Sequence, residues 1–228
     1  MVFDCTLLPR AQPALFDPDA VANAAQPVAV GGRGAAWFVR TGADDAVLRH
    51  YRRGGFAARL SRGTYLWRGA EQTRSFREFH LLRALRKRDL PVPTPLAAIY
   101  WRSGSGYRAA LLMQRIADTQ SLGALLDCGE KIPWAALGRT LACFHRVGAF
   151  HADLNVDNVL MDAHHKLWLI DFDRGALRPP ARGWQQANIA RLQRSLRKRL
   201  GGQAKNADTA AGWNDMLVAY RNAMQKSA

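Results

Sequence analysis

His151-Ala-Asp153-Leu-Asn-Val-Asp-Asn158-Val-Leu-Met161, followed after a short turn by Leu167-Trp-Leu-Ile-Asp171-Phe-Asp173, decides how this chain reads. It places an Asp, an Asn five residues later, and another Asp at the end of an apolar run. That supplies one carboxylate to take a proton and a carboxylate–amide pair to hold a divalent metal. Phosphoryl transfer from a nucleotide needs both.

Asp153 is the candidate general base, because a positioned carboxylate can orient a weakly nucleophilic alcohol and accept its proton. Asn158 and Asp171 are the candidate metal ligands. Mg²⁺ prefers oxygen donors and keeps several waters, so two side chains plus phosphate oxygens suffice. Leu160 and Leu169-Ile170 are expected to anchor the loop on buried strands. Turn chemistry alone can also place Asp and Asn in a hairpin loop. The combination with His151, a preceding helix and an apolar hairpin is what makes the pattern specific. His151 is expected to brace the loop by hydrogen bonding, and His164-His165 to be turn residues.

Working outward, Pro27–Val39 reads as strand, Gly turn, strand, and Ala46–Tyr51 as a third strand. Residues 1–27 read as an irregular lead-in with a short helix. Phe76, Phe79, Leu82 and Leu85 mark one face of a helix over Thr73–Lys87. Leu90-Pro-Val-Pro-Thr-Pro95 stops it. Ile99–Arg102 and Tyr107–Arg115 form a hairpin, and Ser121–Leu126 a short helix. Trp134, Leu137, Leu141 and Phe144 form a helical stripe closed by Gly148. Two helices follow, over Gly183–Leu200 and Ala210–Gln225. Strands with one helix, then mostly helices, predict an α+β, two-lobed protein-kinase-like fold. The expected lobes are 1–116, β-rich and nucleotide-binding, and 117–228, helical and catalytic.

The chain has 228 residues, 48% hydrophobic and 22% charged, which suits a soluble globular protein. No apolar run approaches a membrane span, and the N-terminus lacks the layout of a cleaved signal. Cys5, Cys128 and Cys143 are scattered and are expected to be reduced thiols. The net charge of +15 implies an anionic partner. Arginine dominates, with six lysines beginning at Lys87. Codon bias toward Arg would explain part of that, but not the scarcity of Asp and Glu. On Asn188–Leu200, Ile189, Leu192, Leu196 and Leu200 are expected to pack inward. Arg191, Arg194, Arg197, Lys198 and Arg199 would then face solvent or an anionic membrane surface.

The His-x-Asp and Asn spacing resembles the catalytic loop of the protein-kinase superfamily, with Asp171-Phe-Asp in place of its Asp-Phe-Gly. Four blocks together resemble the 3-deoxy-D-manno-octulosonic acid (Kdo) kinases, lipopolysaccharide core kinases related to the heptose kinases. They are His151-Ala-Asp-Leu-Asn155, Ile170-Asp-Phe-Asp-Arg174-Gly, Leu48-Arg-His-Tyr-Arg-Arg-Gly-Gly55 and Leu90-Pro-Val-Pro93. The resemblance runs from about Gly32 to Lys198.

It implies ATP as donor, Mg²⁺ as cofactor, and a Kdo hydroxyl (O4) of the Kdo-lipid IV-A precursor as acceptor. Asp153 would be the base, and Asn158 with Asp171 the magnesium ligands. Glu78 would be the helix glutamate that partners a strand cation. No lysine precedes Lys87, and Arg49 aligns with that cation, since a guanidinium can bridge phosphate oxygens. Gly32 and Gly34 would cover the phosphates, and Gln114 and Ile116 would meet the adenine. Arg52, Arg53 and Arg174, beside the motif blocks, are candidates for the substrate carboxylate. A peripheral place on the cytoplasmic side of the inner membrane is expected.

Three rivals remain. A protein kinase would need an activation segment, and only 57 residues follow Asp171 (228 − 171), with no Ala-Pro-Glu. An antibiotic- or choline-type phosphotransferase shares the loop but lacks the Arg-rich block. A nucleic-acid-binding protein would explain the charge, yet it predicts aromatics interleaved with basic residues or a known motif, and neither is present. No nucleic-acid partner is expected.

Overall fold

A computed structural model describes residues 1–19, 25–28, 36–41, 44–51, 64–201 and 207–225. The chain divides into two compact units. One holds Met1–Ala84 with Pro93–Arg115, the other Leu85–Val92 with Ile116–Ala228.

In the first unit the described strands are β1 (Val2–Phe3), β2 (Gln26–Pro27), β3 (Ala36–Thr41), β4 (Asp44–His50), β5 (Tyr65–Leu66), β6 (Pro95–Ser103) and β7 (Gly106–Gln114). They form one antiparallel sheet in the order β1-β6-β7-β4-β3-β2, with β5 also on β7. The central register pairs Leu48 with both Trp37 and Leu112. Alternation accounts for β4, where Ala46 and Leu48 are buried and Val47 less so. Phe16, Val39, Leu48, Leu96, Ile99 and Leu112 share one core cluster.

The lead-in is more ordered than its composition suggests. Val2 pairs with Ala98 and Phe3 with Ala97 as an added edge strand. The expected short helix is a single 3₁₀ turn, Pro13–Phe16, which buries Phe16 completely. Two residues carry no periodicity, so β1 could not be read from pattern. The expected Gly turn falls on residues 29–35, outside the described residues.

Helix α1 (Arg74–Arg86) buries Phe76, Phe79, Leu82 and Leu85, as their spacing predicts. Ser75 Oγ donates to Ile99 O at 2.9 Å and ties the helix to β6. At its end Asp89 takes φ 56°, and Leu90 N–H returns to Leu85 O.

The second unit contains β8 (Gln120–Ser121), α2 (Leu122–Asp127), α3 (Trp134–Arg146), β9 (Ala149–Phe150), β10 (Val159–Met161), β11 (Leu167–Leu169), β12 (Ala176–Leu177), α4 (Arg182–Leu200) and α5 (Ala207–Gln225). Ser121 caps α2 by accepting from Ala124 N–H at 3.1 Å. Leu137, Leu141 and Phe144 form the buried stripe of α3. Helix α3 lies so close to α5 that a Cβ on Gly138 would stand 2.2 Å from Met216 O. Gly148 ends α3 at φ +78°, and a Cβ there would meet Arg178 O at 2.0 Å. That turn sends the chain into β9, which pairs with β12, while β10 lies between β8 and β11. The α+β class is as expected. Among the described residues no helix is long and apolar enough to cross a membrane.

Candidate active site

The β10–β11 hairpin brings Asn158 and Asp171 to one end. Val159 pairs with Leu169, and just beyond it Ile170 N–H donates to Asn158 O at 3.0 Å. Asp171 sits at φ 60°, a conformation Asp tolerates better than most side chains. Its neighbour Phe172 is buried against Phe144 (5.9 Å, stacked) and against His151 (4.6 Å). The apolar ring therefore anchors the segment while Asp171 remains partly accessible.

His151 is buried and holds the loop on both sides. Asp153 N–H donates to its Nδ1 at 3.1 Å, and its Nε2 lies 2.9 Å from Ile170 O. An Nδ1 that accepts leaves the proton on Nε2, which donates to the carbonyl. The bond accepted by Nδ1 requires the neutral ring, and burial pushes its pKa down in the same sense. His151 is thus a brace, as its position suggested.

Asp153 extends into solvent, its side chain 61% exposed. Asn155 Nδ2 donates to Asp153 O at 3.0 Å and to Oδ2 at 3.3 Å. Asn155 Oδ1 caps the 3₁₀ turn Val156–Asn158 by accepting from Asp157 and Asn158 N–H. Asn158 Nδ2 donates to Asp153 O at 2.9 Å. One carbonyl therefore orients the Asn158 amide and leaves its oxygen branch as the acceptor for a cation. With the Asp171 carboxylate this gives a hard, all-oxygen donor pair at one end of the hairpin, which suits Mg²⁺.

Helix α4 follows this loop almost residue by residue. Asn188 accepts from His151 N–H at 3.2 Å and donates to His151 O at 2.9 Å. Arg191 Nη1 reaches Asp153 Oδ1 at 3.0 Å. Ser195 Oγ accepts from Val156 N–H at 3.1 Å. Arg199 bonds Asp157 at 3.1 Å and also Asp127, by two bonds of 2.9 and 2.6 Å. Positions 188, 191, 195 and 199 fall on one helical face. All five basic residues of α4 are exposed, as expected, and two of them, Arg191 and Arg199, also bond acids of the same unit. Arg194, Arg197 and Lys198 are exposed. Asn188, Ser195 and Asn155 were not singled out beforehand. The available signal was polar residues at 188 and 195, between the apolar positions 189, 192 and 196.

In the first unit the expected Arg49–Glu78 pair forms, and Arg49 is not the surface arginine of an edge strand that was its alternative reading. Glu78 Oε2 also accepts from Tyr51 OH at 2.7 Å, and the guanidinium lies 4.7 Å from the Tyr51 ring centre. Burial, and then the Glu78 charge, push the Tyr51 pKa well up, so its hydroxyl stays a donor.

Gln114 ends β7 with its N–H on Thr94 O at 2.8 Å, and Ile116 O accepts from Thr119 Oγ1 at 3.3 Å. Arg174 is exposed at φ 60° on the turn after Asp173. Gly32, Gly34, Arg52 and Arg53 lie outside the described residues. His164 and His165 are exposed turn residues around Asp162, and Cys5, Cys128 and Cys143 are free thiols.

Against known proteins, the model of the lipopolysaccharide kinase (Kdo/WaaP) family matches residues 21–220. A 3-deoxy-D-manno-octulosonic acid kinase of Xanthomonas campestris pv. campestris (strain B100) is 53% identical over 206 residues, 90% of this chain and 83% of that protein. One of Stenotrophomonas maltophilia (strain R551-3) is 52% identical over 221 residues, 96% of this chain and 88% of that protein. Among solved structures, the bifunctional kinase-methyltransferase WbdD aligns with a TM-score of 0.44 at 17% identity, over 90% of this chain and 46% of that one.

Proposed function

The chain belongs to the lipopolysaccharide kinase (Kdo/WaaP) family, and from that premise we propose that it transfers the γ-phosphoryl group of ATP to a hydroxyl of 3-deoxy-D-manno-octulosonic acid. The acceptor hydroxyl in this reading is O4, on Kdo-lipid IV-A during inner-core assembly. The observation that carries it is the shared carbonyl of Asp153, which links the candidate base to the Asn158 amide.

Asp153 orients the hydroxyl and takes its proton as the bond to phosphorus forms. Asn158 and Asp171 would hold Mg²⁺, which would supply positive charge against the phosphate groups. His151 and α4 keep the loop in place so that little reorganisation accompanies the reaction. Arg49, held by Glu78, presents a guanidinium suited to a phosphate group. Arg174 contributes to acceptor binding. The exposed Arg194, Arg197 and Lys198 favour a peripheral place on an anionic membrane surface, each cation adding about 1 kcal/mol near such a surface.

Incubation with γ-labelled ATP and Mg²⁺ tests this, with the Kdo-lipid A precursor beside a generic protein and a cationic aminoglycoside. Label is expected in the lipid alone, and chemical mapping is expected to find it on O4. Label in the protein or the aminoglycoside instead would overturn the reading. Liposome flotation of the Arg194→Glu/Arg197→Glu/Lys198→Glu variant tests the surface role. Unchanged binding at low salt would count against it.

A further inference from the structure

We propose that Arg191 is the specificity residue that recognises the carboxylate of the acidic acceptor sugar. This rests on the kinase reading above and assigns the acceptor side of the same site.

Arg191 is held in place by its neighbours on α4. Asn188 grips the His151 backbone through both its N–H and its C=O, and Ser195 grips Val156 N–H. These two contacts lie three residues before and four residues after Arg191, so the intervening turn of α4 has a fixed register over the loop. Arg191 therefore needs no ion pair of its own to be placed. Its bond to Asp153 adds little stability, since the side chains are 46% and 61% exposed and water screens such a pair.

Nor does that bond suit a base in its working state. A guanidinium resting on Oδ1 occupies an oxygen that has to receive a hydroxyl proton. The arrangement makes sense if an acceptor displaces it. The acceptor brings a hydroxyl to Asp153 and, on the same small ring, an anion within reach of the cation beside it. The bond to Asp153 uses one of five N–H donors in the guanidinium fork. The remaining donors can take a carboxylate bidentately. Arginine suits this task better than lysine, which presents a single rotating point charge. A neutral sugar would leave Arg191 on Asp153, so one side chain would both reward an acid and disfavour a neutral competitor.

The test compares two acceptors, the acidic sugar and the same sugar with its carboxylate converted to a primary amide, in wild type, R191Q and R191K. With the acid, R191Q is expected to raise the acceptor KM about 10- to 100-fold, the range for losing a hydrogen bond to a charged group. The KM for ATP and the thermal midpoint stay unchanged. With the amide, wild type is expected to be as poor as R191Q with the acid, and R191Q to add no further loss. R191K, which keeps charge and bulk but not the fork, should fall between. Equal losses on both acceptors, or a fall in kcat with acceptor KM unchanged, would assign Arg191 to the phosphoryl group or the base. No effect would make it a surface pair. If wild type phosphorylates neither acceptor, the kinase reading falls first and this assignment with it.

Discussion

Two ion pairs of this molecule join the same kinds of group in opposite settings. Arg49–Glu78 is enclosed, with side chains 16% and 1% exposed, and Tyr51 seals one flank. Arg191–Asp153 is open to solvent. In the enclosed pair, losing one charge leaves the other buried without its opposite charge at close range. In the open pair each partner can be released to water or to a ligand at little expense. The first is a fixed fitting, and the second has a carboxylate available for chemistry on a backbone that other residues hold still.

The contrast predicts that damage to the open pair shows in turnover and damage to the closed pair shows in folding. Asp153→Asn should reduce kcat by about 10²–10⁴-fold, the usual weight of general-base help. Its urea midpoint should stay near wild type, because the lost surface pair is worth about 0–1 kcal/mol. Single-turnover rates and denaturation on the same preparation check both halves. A variant that keeps most of its kcat would break the comparison at its centre.

Glu78→Ala should do the reverse. Breaking a buried pair by removing one partner typically destabilises by about 3–5 kcal/mol. The urea midpoint should drop accordingly, and Glu78→Gln, which retains an acceptor for Tyr51, should drop less. A stable Glu78→Ala protein would mean that the pair is not closed to water.

The loop and hairpin that carry the candidate site were legible from sequence because their pattern is local. Asp153, Asn158 and Asp171 fall within 19 residues (171 − 153 + 1), and the apolar hairpin between them advertises its own strands. The face of α1 was legible for a similar reason, since Phe76, Phe79, Leu82 and Leu85 repeat at helical spacing. The clamp by α4 was not. Asn188 and His151 are 37 residues apart, and nothing in either neighbourhood names the other. A polar residue amid an apolar stripe signals that something is met there, but not what. The same holds for β1, whose two residues pair with β6 across more than ninety positions.

Acid sharpens the contrast on the side of stability. His145 is buried between α3 and α5, with Nδ1 2.7 Å from Tyr220 OH, and burial pushes its pKa down to about 4 from 6.5. Between those values the unfolded chain binds the proton and the folded chain does not. Stability is therefore complete above about pH 6.5 and is lost as the pH falls toward 4. His151, also depressed by burial, acts in the same direction. The His145 contribution is about 3 kcal/mol at full extent. Urea midpoints measured from pH 7 to 4 should fall, and His145→Asn should flatten part of that fall. A midpoint independent of pH would show that the ring is solvated.

The smallest effect separates two arginines of one helix. Arg199, like Arg191, bonds an acid of the loop, but its partner Asp157 lies on the 3₁₀ turn behind Asp153, and Asp127 on α2 takes two more of its donors. Three charged groups at side-chain exposures of 31–53% make a partly screened network. Arg199→Ala should therefore destabilise by about 1 kcal/mol or less, and less still in high salt. Its acceptor KM should not move, because none of its bonds reaches Asp153. If Arg199→Ala instead raised the KM for the acidic acceptor as much as R191Q does, the face of α4 would be working as a general field of positive charge. The distinction between a fixed and a releasable cation would then not extend to single residues.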